Sequence, residues 1–373
     1  MTLERRRREI RRHWAHLLTP ADAVRNPLYA ALCAHARHDD LLIDILLNTP
    51  DTQARPNLVL AAVHDLVLED PSGELGVHYP TAAHFVACGS SIDAPPVDPL
   101  PFAPPLPEAA ETITRWISHH RDEVVSRMEG RSTQTNEVGR TAVLSCGLAA
   151  AAGNRPTALI DLGCSAGLNL LFDHYRIDRT DGITLGDPSS SVVVTTESSG
   201  APLPSTMPEI PWRLGVDLAP PDLDDDLAAR WLLACQWPDD LARFERSRRA
   251  MGLWRASDAR PSLMTASVVE GIDEVLDTVP DDLLVVIAHS WMVAYLNASE
   301  QQQLASWIRR VMQQREVAWL SFEHPRLVPG LEHPSSAATR VPGASTLVLE
   351  THDRGPRVLA QAHPHGTWIR WES

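Results

Sequence analysis

The stretch Ala158-Leu-Ile-Asp161-Leu-Gly163-Cys-Ser165-Ala-Gly167-Leu-Asn169 decides the fold that we predict for this 373-residue chain. An apolar run ends in an acidic residue and passes into a turn of small residues, after which an apolar helical pattern begins. Small residues let the backbone approach a ligand closely, and a helix N-terminus offers free N–H groups. The stretch therefore predicts a buried strand, a ligand-binding loop and a helix, in that order.

The chain after Pro156 alternates between short apolar runs and helical patterns, which is typical of a parallel α/β sheet. We predict parallel strands at 157–162, 212–217, 263–268, 283–289 and 317–322. Three later runs are separated by turns too short for crossover connections, and they predict antiparallel strands at 345–351, 357–362 and 367–371. The clearest helix covers 299–314, where Ser299 and Gln302 suggest a capping box.

The domain organisation follows from changes in composition along the chain. Residues 1–130 predict an N-terminal helical domain, with a proline-rich extended connector near 92–107. Residues 131–373 predict the α/β domain, and the long spacing between its first two strands predicts an insertion at about 176–211. This insertion either shapes a substrate pocket or is a plain surface excursion.

Charge and cysteine content narrow the classes of partner. The net charge of −15 argues against nucleic acid as the main partner, and the arginine cluster at residues 5–12 is interpreted as a solvated helix face or a binding arm. Five widely spaced cysteines without a CxxC pair indicate reduced thiols and neither a disulfide framework nor a metal site. The apolar segments are too short to span a membrane. We therefore expect a cytoplasmic protein that binds a small molecule.

The glycine loop resembles the first motif of class I methyltransferases that use S-adenosyl-L-methionine (SAM). The resemblance implies a Rossmann-like sheet finished by an antiparallel hairpin. It also implies that Asp161 holds the ammonium group of SAM and that Gly163 and Gly167 let the loop pass beneath the cofactor. Ser165 replaces the middle glycine of the family pattern. Asp217, which ends the second predicted strand, corresponds to the acid that accepts both ribose hydroxyls.

Further candidates lie at the predicted carboxyl edge of the sheet. His289 could act as a general base, and Glu323 could bind a cationic or hydroxylated substrate. Thr135 or Asn136 could cap the following helix, although Asn136 and Arg140 could equally contact SAM. The remaining predicted cofactor contacts are Asn169, Glu270 and Ser290.

The whole chain is also similar to a bacterial family of unknown function with a methyltransferase-like domain. The segments that carry this similarity are 134–137, 165–169, 185–190, 289–290 and His363-Pro-His-Gly366. This likeness implies the fold more than any substrate.

Three functions are compatible with these patterns. Methyl transfer from SAM to an N, O or C nucleophile of a small molecule is the preferred hypothesis. A non-catalytic protein that keeps the SAM fold for regulation or scaffolding is the second. The third is a serine hydrolase, because Gly163-Cys-Ser165-Ala-Gly167 also matches G-x-S-x-G, with Ser165 as nucleophile and a histidine such as His324 as base. Oligomeric state is not predicted by the sequence.

Overall fold

A computed structural model of the chain describes residues 2–49, 54–101, 108–270, 273–327 and 341–372. The helices are α1 (Leu3–Ala15), α2 (Pro20–Arg25), α3 (Pro27–Ala36), α4 (Asp40–Leu47), α5 (Pro56–Glu69), α6 (Pro80–Ala87), α7 (Ala109–His119), α8 (Arg121–Met128), α9 (Thr141–Ala152), α10 (Asp226–Ala234), α11 (Leu241–Ala256), α12 (Asp273–Leu276) and α13 (Ala298–Gln314). The strands are β1 (Thr157–Leu162), β2 (Arg176–Arg179), β3 (Thr184–Gly186), β4 (Val193–Gly200), β5 (Trp212–Asp217), β6 (Ser262–Thr265), β7 (Leu284–Ser290), β8 (Val317–Glu323), β9 (Ser345–Thr351), β10 (Arg354–Ala362) and β11 (Trp368–Trp371).

The chain divides into two compact units. Unit 1 comprises Met1–Thr135 with Leu223–Gly252, and unit 2 comprises Asn136–Asp222 with Leu253–Ser373. The first break lies close to the predicted boundary between residues 130 and 131. The return of residues 223–252 to unit 1 has no counterpart in the sequence pattern, which assigned them to the second domain.

Unit 1 is helical, and its helices begin where the sequence signals them. Proline occupies the first turn of α2, α3, α5 and α6, where its missing N–H leaves no hydrogen bond unmade. The Asp39 carboxylate caps α4 by accepting the N–H of Leu42 at 3.1 Å. Helix α5 is buried along almost its whole length and packs against α10, so it forms the centre of the unit.

The basic cluster of α1 is partly neutralised within unit 1. Arg7 pairs with Asp44, and Arg11 pairs with Asp40 at 2.6 Å. Both acidic partners belong to α4, so these two arginines pack against a helix of the same unit, which favours the solvated-face interpretation over a binding arm.

The proline-rich stretch is described up to residue 101 and lacks regular secondary structure, as expected; residues 102–107 of the predicted connector lie outside the described residues. It is also bound tightly within unit 1. The fully buried Arg248 guanidinium donates to the carbonyls of Ile92 (2.9 Å), Ala94 (2.9 Å) and Pro95 (3.1 Å). The stretch is thus a fixed part of the unit 1 core.

Unit 2 contains an eleven-stranded sheet in the order β3-β2-β4-β11-β10-β9-β8-β7-β1-β5-β6. Strands β6, β5, β1, β7 and β8 are parallel neighbours, and β9, β10 and β11 pair in antiparallel fashion. The predicted parallel core and antiparallel C-terminal hairpin are therefore confirmed. The five parallel strands have the third-second-first-fourth-fifth order of a doubly wound sheet, whose switch point lies between β1 and β7.

The predicted insertion at 176–211 contains β2, β3 and β4. Strand β4 pairs in parallel with β11, and β2 pairs with both β4 and β3. The insertion therefore extends the sheet beyond the C-terminal strands, an arrangement that neither interpretation of it included.

Both faces of the central strands are covered. On one face an apolar core joins the side chains of Ile160, Ile287 and Trp319 to those of α13. On the other face α9 approaches so closely that a Cβ on Gly147 would lie 2.6 Å from Leu320 Cδ1. Side chains alternate between the two faces along a strand. Ile160 and Leu162 belong to the α13 core, so the side chain of Asp161 between them lies on the α9 face.

The cap of α13 differs from the prediction. Asn297 is the N-cap, and its side-chain oxygen accepts the N–H groups of Ser299 (2.9 Å) and Glu300 (3.1 Å). Glu300 completes the capping box by accepting the Asn297 N–H at 2.7 Å. The predicted Ser299–Gln302 box was wrong because the helix begins earlier, which places Ser299 inside its first turn. Among the described residues, no helix combines the length and apolar character needed to cross a membrane.

Candidate functional site

The loop after β1 has three residues in the left-handed backbone region. Gly163 and Gly167 have φ angles of 72°, and Ser165 has a φ angle of 52°. Residues with a Cβ atom rarely adopt this conformation. Ser165 therefore has a backbone conformation that glycine favours, although it carries a side chain.

The loop is bound to the neighbouring strand β5 by its backbone. The N–H groups of Gly163 and Cys164 donate to the carbonyl of Val216 at 2.7 and 3.2 Å. The N–H of Ser165 donates to the Asp217 carboxylate at 2.8 Å. Asp217, predicted as a ribose ligand, therefore also fixes the loop.

Asn136 holds the loop from its other side. Its amide nitrogen donates to the carbonyl of Cys164 at 2.7 Å, and its amide oxygen accepts the N–H of Leu168 at 3.1 Å. The helical turn that follows is capped by Glu137, which accepts the N–H of Gly139 at 2.9 Å, and not by Thr135 or Asn136. The side chain of Asn136 thus positions the loop after β1.

Two carboxylates lie at the ends of adjacent strands. In the parallel pairing of β1 with β5, Asp161 is opposite Gly215, two residues before Asp217. Burial raises the pKa of Asp161 to about 7, with Arg140 opposing the rise and Asp217 adding to it. The two oxygens of Asp217 accept one N–H each, from Ser165 and, at 3.1 Å, from Ala219. A carboxylate has about four lone-pair sites, so Asp217 keeps capacity for further donors.

Arg140 connects three segments that are far apart in sequence. Its guanidinium donates to the carbonyls of Ser290 (3.2 Å) and Pro364 (3.1 Å), and it lies close enough to Asp161 to affect the pKa of that carboxyl. Next to it, a Cβ on Gly366 would lie 2.0 Å from the carbonyl oxygen of Gly139, so only glycine allows this close approach.

His289 and Glu323 form a buried pair at the ends of β7 and β8. His289 Nδ1 lies 2.8 Å from Glu323 Oε1, and both side chains are fully buried. The side chain of His289 lies on the α13 face with its neighbour Leu162, whereas that of Asp161 lies on the α9 face. The two predicted catalytic residues therefore contact each other and are separated by the sheet from the Asp161 side chain.

Comparison with known protein families identifies the family of this chain. The model of a family described as "Uncharacterized protein conserved in bacteria (DUF2332)" matches residues 16–371. The chain belongs to DUF2332. No curated protein matches the chain. The five sequence segments that carry the similarity to a bacterial family can therefore be located in the structure of a DUF2332 member.

Four of these five segments of the DUF2332 chain meet at the carboxyl edge of the sheet. Segment 134–137 contacts segment 165–169 through Asn136, and Arg140 links segment 289–290 to the turn 363–366. The fifth, 185–190, begins within β3 and continues beyond it, and there Asp187 accepts the N–H and hydroxyl of Ser189 at 2.8 and 2.6 Å. Residues spread over more than half of the chain thus build one site.

The remaining predicted contacts occupy different surroundings. Asn169 is buried, and its side-chain oxygen has no hydrogen-bond partner among the described residues. Ser290 is buried and contributes its carbonyl to Arg140. Glu270 is exposed on the loop that follows β6. Sequence reasoning missed Trp291, a non-glycine residue with a φ angle of 56°, because no local signal marks such a conformation.

A separate cluster of possible metal ligands lies in unit 1. One donor atom each of His84, Cys88 and Glu245 lies within 4.8 Å of the others, and all three residues are buried. The Glu245 carboxylate, however, accepts two bonds from Arg248 (2.7 and 2.8 Å) and one from Arg249 (2.7 Å). Because two guanidinium groups already neutralise this carboxylate and would repel a cation, we interpret the cluster as a buried ion-pair network.

Proposed function

We propose that unit 2 binds SAM at the carboxyl edge of its sheet and transfers the methyl group to a small-molecule acceptor. The observation that carries this proposal is the pair of carboxylates, Asp161 and Asp217, on adjacent strand ends beside a loop in left-handed conformation. The doubly wound strand order supports it, because ligands of such sheets bind near the switch point.

The use of the loop N–H groups favours a cationic ligand over a phosphate. Dinucleotide sites direct loop N–H groups at the pyrophosphate. Here most of these groups have acceptors within the protein, and the donors are Gly163, Cys164, Ser165, Gly167 and Leu168. The site presents carboxylates instead. SAM carries an ammonium and a sulfonium and no phosphate, so its charge suits this site.

The residues at this edge of the sheet suit the chemical groups of the cofactor. Asp161 would pair with the ammonium group, whose positive charge would favour the ionised carboxylate that burial disfavours. Asp217 would accept the ribose hydroxyls with its remaining lone pairs. Bound SAM would supply the electrophilic methyl group, and the protein would contribute alignment of the acceptor and exclusion of water.

His289 is our candidate for accepting a proton from the acceptor molecule. Its Nδ1 faces Glu323, and its Nε2 has no hydrogen-bond partner among the described residues. With Nδ1–H donated to the carboxylate, Nε2 carries the basic lone pair. The complete burial of both side chains favours the second candidate function, a SAM-binding protein without catalysis. We also propose a cytoplasmic location, on the basis of the cysteine pattern.

Titration calorimetry with SAM, S-adenosylhomocysteine (SAH) and NAD⁺ tests the proposal. We expect SAM and SAH to bind and NAD⁺ not to bind. Asp217→Asn should weaken binding at least about tenfold, because it removes the charge that strengthens the ribose hydrogen bonds. Asp353→Asn is the matched control, since Asp353 lies in the exposed turn between β9 and β10.

The possible outcomes separate the candidate functions. Absence of SAM and SAH binding to the wild type would exclude the methyltransferase hypothesis. Binding without methylation of a panel of phenols, carboxylic acids and amines would favour the regulatory role. Labelling of Ser165 by a fluorophosphonate would favour the hydrolase. The structure gives the hydrolase little support, because the candidate base His324 is exposed and accepts the N–H of Arg326 through Nδ1.

A further inference from the structure

The turn after β7 has a backbone conformation that needs external support. Trp291 has a φ angle of 56°, which a residue with a large side chain rarely adopts. The Trp291 N–H donates to the carbonyl of Phe322 at 3.0 Å, and its indole N–H donates to the hydroxyl of Ser345 at 2.9 Å. Both ends of this residue are therefore fixed by neighbouring strands.

Glu323 supports the next part of the same turn. Its Oε1 atom accepts the N–H groups of Met292 (2.9 Å) and Val293 (3.3 Å), and it lies 2.8 Å from His289 Nδ1. One buried carboxylate oxygen thus receives three N–H donors, of which two belong to the turn backbone. This contact also requires the proton of His289 to be on Nδ1.

In this position the turn contacts two parts of the proposed cofactor site. The Met292 side chain occupies the space beside Gly163, where an added Cβ would lie 2.3 Å from Met292 Cγ. The carbonyl of Ser290 accepts a hydrogen bond from Arg140, and the Arg140 guanidinium lies 5.9 Å from the centre of the Trp291 ring. The Met292 side chain therefore contacts the loop after β1. The Ser290 carbonyl and the Trp291 ring contact Arg140, the cation beside Asp161.

We propose that Glu323 is a positioning residue that holds the 291–293 turn against the cofactor loop, with His289 as its fixed partner. Glu323 acts through the backbone of Met292 and Val293, and through them on the adjacent Trp291, a role different from the substrate contact expected from the sequence. The inference rests on the proposed function only where it predicts a change in cofactor affinity. Its structural part concerns the turn and the loop alone and can be measured without any ligand.

Two ligand-free measurements test the structural part. The first is the ¹⁹F NMR spectrum of protein labelled with 5-fluorotryptophan, with the Trp291 resonance assigned from Trp291→Phe. The second is hydrogen exchange of the loop peptide 163–168. Glu323→Gln should shift or broaden the Trp291 resonance and accelerate exchange of the loop. The control Glu350→Gln breaks the partly buried pair between Arg309 of α13 and Glu350 of β9 and should change neither.

A second variant keeps the proposal testable if Glu323→Gln does not fold. Met292→Ala leaves the carboxylate and its backbone donors in place but removes the side chain beside Gly163. It should accelerate exchange of the loop and leave the Trp291 resonance in place. Unchanged loop exchange in both variants, or equal effects in Glu323→Gln and Glu350→Gln, would overturn the proposal.

SAH affinity then tests the consequence for the site. Glu323→Gln should weaken SAH binding at least about tenfold, equivalent to ~1.4 kcal/mol. Unchanged affinity together with a mobile loop would overturn the link between the turn and the cofactor site. If the wild type does not bind SAH, the proposed function fails, whereas the exchange and NMR results still decide the role of Glu323.

Discussion

The substitution Asp161→Asn tests whether a carboxyl with a strongly raised pKa lies at the end of β1. Burial raises this pKa from the usual 3.8 to about 7; Arg140 opposes the rise, and Asp217 adds to it. Between these values the folded protein holds a proton that the unfolded chain has released, so stability falls as pH rises from about 4 to 7. Above that range the loss is complete and amounts to ~4 kcal/mol, at about 1.4 kcal/mol for each unit of pKa.

Asparagine has a similar shape and no charge, so the variant should lack this loss. Relative to the variant, the wild type should lose ~3 kcal/mol of unfolding free energy between about pH 5 and 8. Urea unfolding of both proteins across this range measures the difference, from which groups common to both cancel. The control Asp353→Asn should show no pH-dependent difference from the wild type in this range, because a hydrogen bond from the Thr351 hydroxyl lowers the pKa of that exposed carboxyl, which is therefore ionised in both the folded and the unfolded chain. A wild-type–variant difference independent of pH would refute the reasoning.

If SAM binds as proposed, the same carboxyl predicts a proton release on binding. An ammonium group beside Asp161 favours its ionised form, so below about pH 7 binding should expel the proton that burial retains. At about pH 6 we expect close to one proton released per SAM bound, and none for Asp161→Asn. Calorimetry in two buffers with different ionisation enthalpies measures this number. Equal proton release by wild type and variant would show that the ammonium binds elsewhere.

Three further predictions concern packing and capping. Gly366→Ala should destabilise unit 2 by roughly 1–3 kcal/mol more than Gly343→Ala in thermal unfolding, because both glycines have positive φ but only Gly366 meets a backbone atom within 4 Å; equal losses would contradict the close approach. Asn297→Ala should lower stability by about 1 kcal/mol and Ser299→Ala by a few tenths, and the reverse order would restore the cap predicted from sequence. Glu245→Gln should cost roughly 3–5 kcal/mol, because it leaves buried arginine charge uncompensated, whereas a zinc-dependent rise in the wild-type melting temperature would instead indicate a metal site.

The parallel core could be predicted because its signals are local. Strands at 157–162 and 212–217 have the bounds predicted from their apolar runs, and the other three parallel strands agree to within a few residues. Each run is flanked by turn residues and carries β-branched or aliphatic side chains that suit burial on both faces. The adjacency of Asp161 and Asp217 was a requirement of the methyltransferase hypothesis rather than a result of this pattern, and the pairing of β1 with β5 meets it.

Long-range pairing could not be predicted in the same way. Strand β4 joins the sheet beside β11, more than 160 residues later in the chain, and residues 223–252 return to unit 1. Periodicity reports whether a segment is a strand or a helix and which side is buried, but it carries no record of the partner. The insertion at 176–211 was recognised by its length, and its strands were not placed for this reason.

The conformation of the site loops was equally invisible in the sequence. Ser165 at the middle-glycine position looked like a departure that could change the loop, yet its φ of 52° places it in the region that glycine favours. Its N–H donates to Asp217, and Asn136 fixes the residues on either side of it. Three contacts from outside the loop therefore compensate for the residue's preference, and no property of the residue itself reveals them.

Charge and hydrogen bonding together narrow the range of possible ligands more than the glycine pattern does. A glycine loop after a strand is compatible with dinucleotides, with SAM and with a nucleophile elbow. The loop N–H groups here are satisfied by Val216, Asp217 and Asn136, so few remain for a phosphate or an oxyanion. The acid at the strand end is buried at a cost that a cation would offset. A ligand that brings an ammonium group to Asp161 and hydroxyls to Asp217 satisfies both conditions, whereas a dinucleotide offers ribose hydroxyls to Asp217 but no ammonium to Asp161.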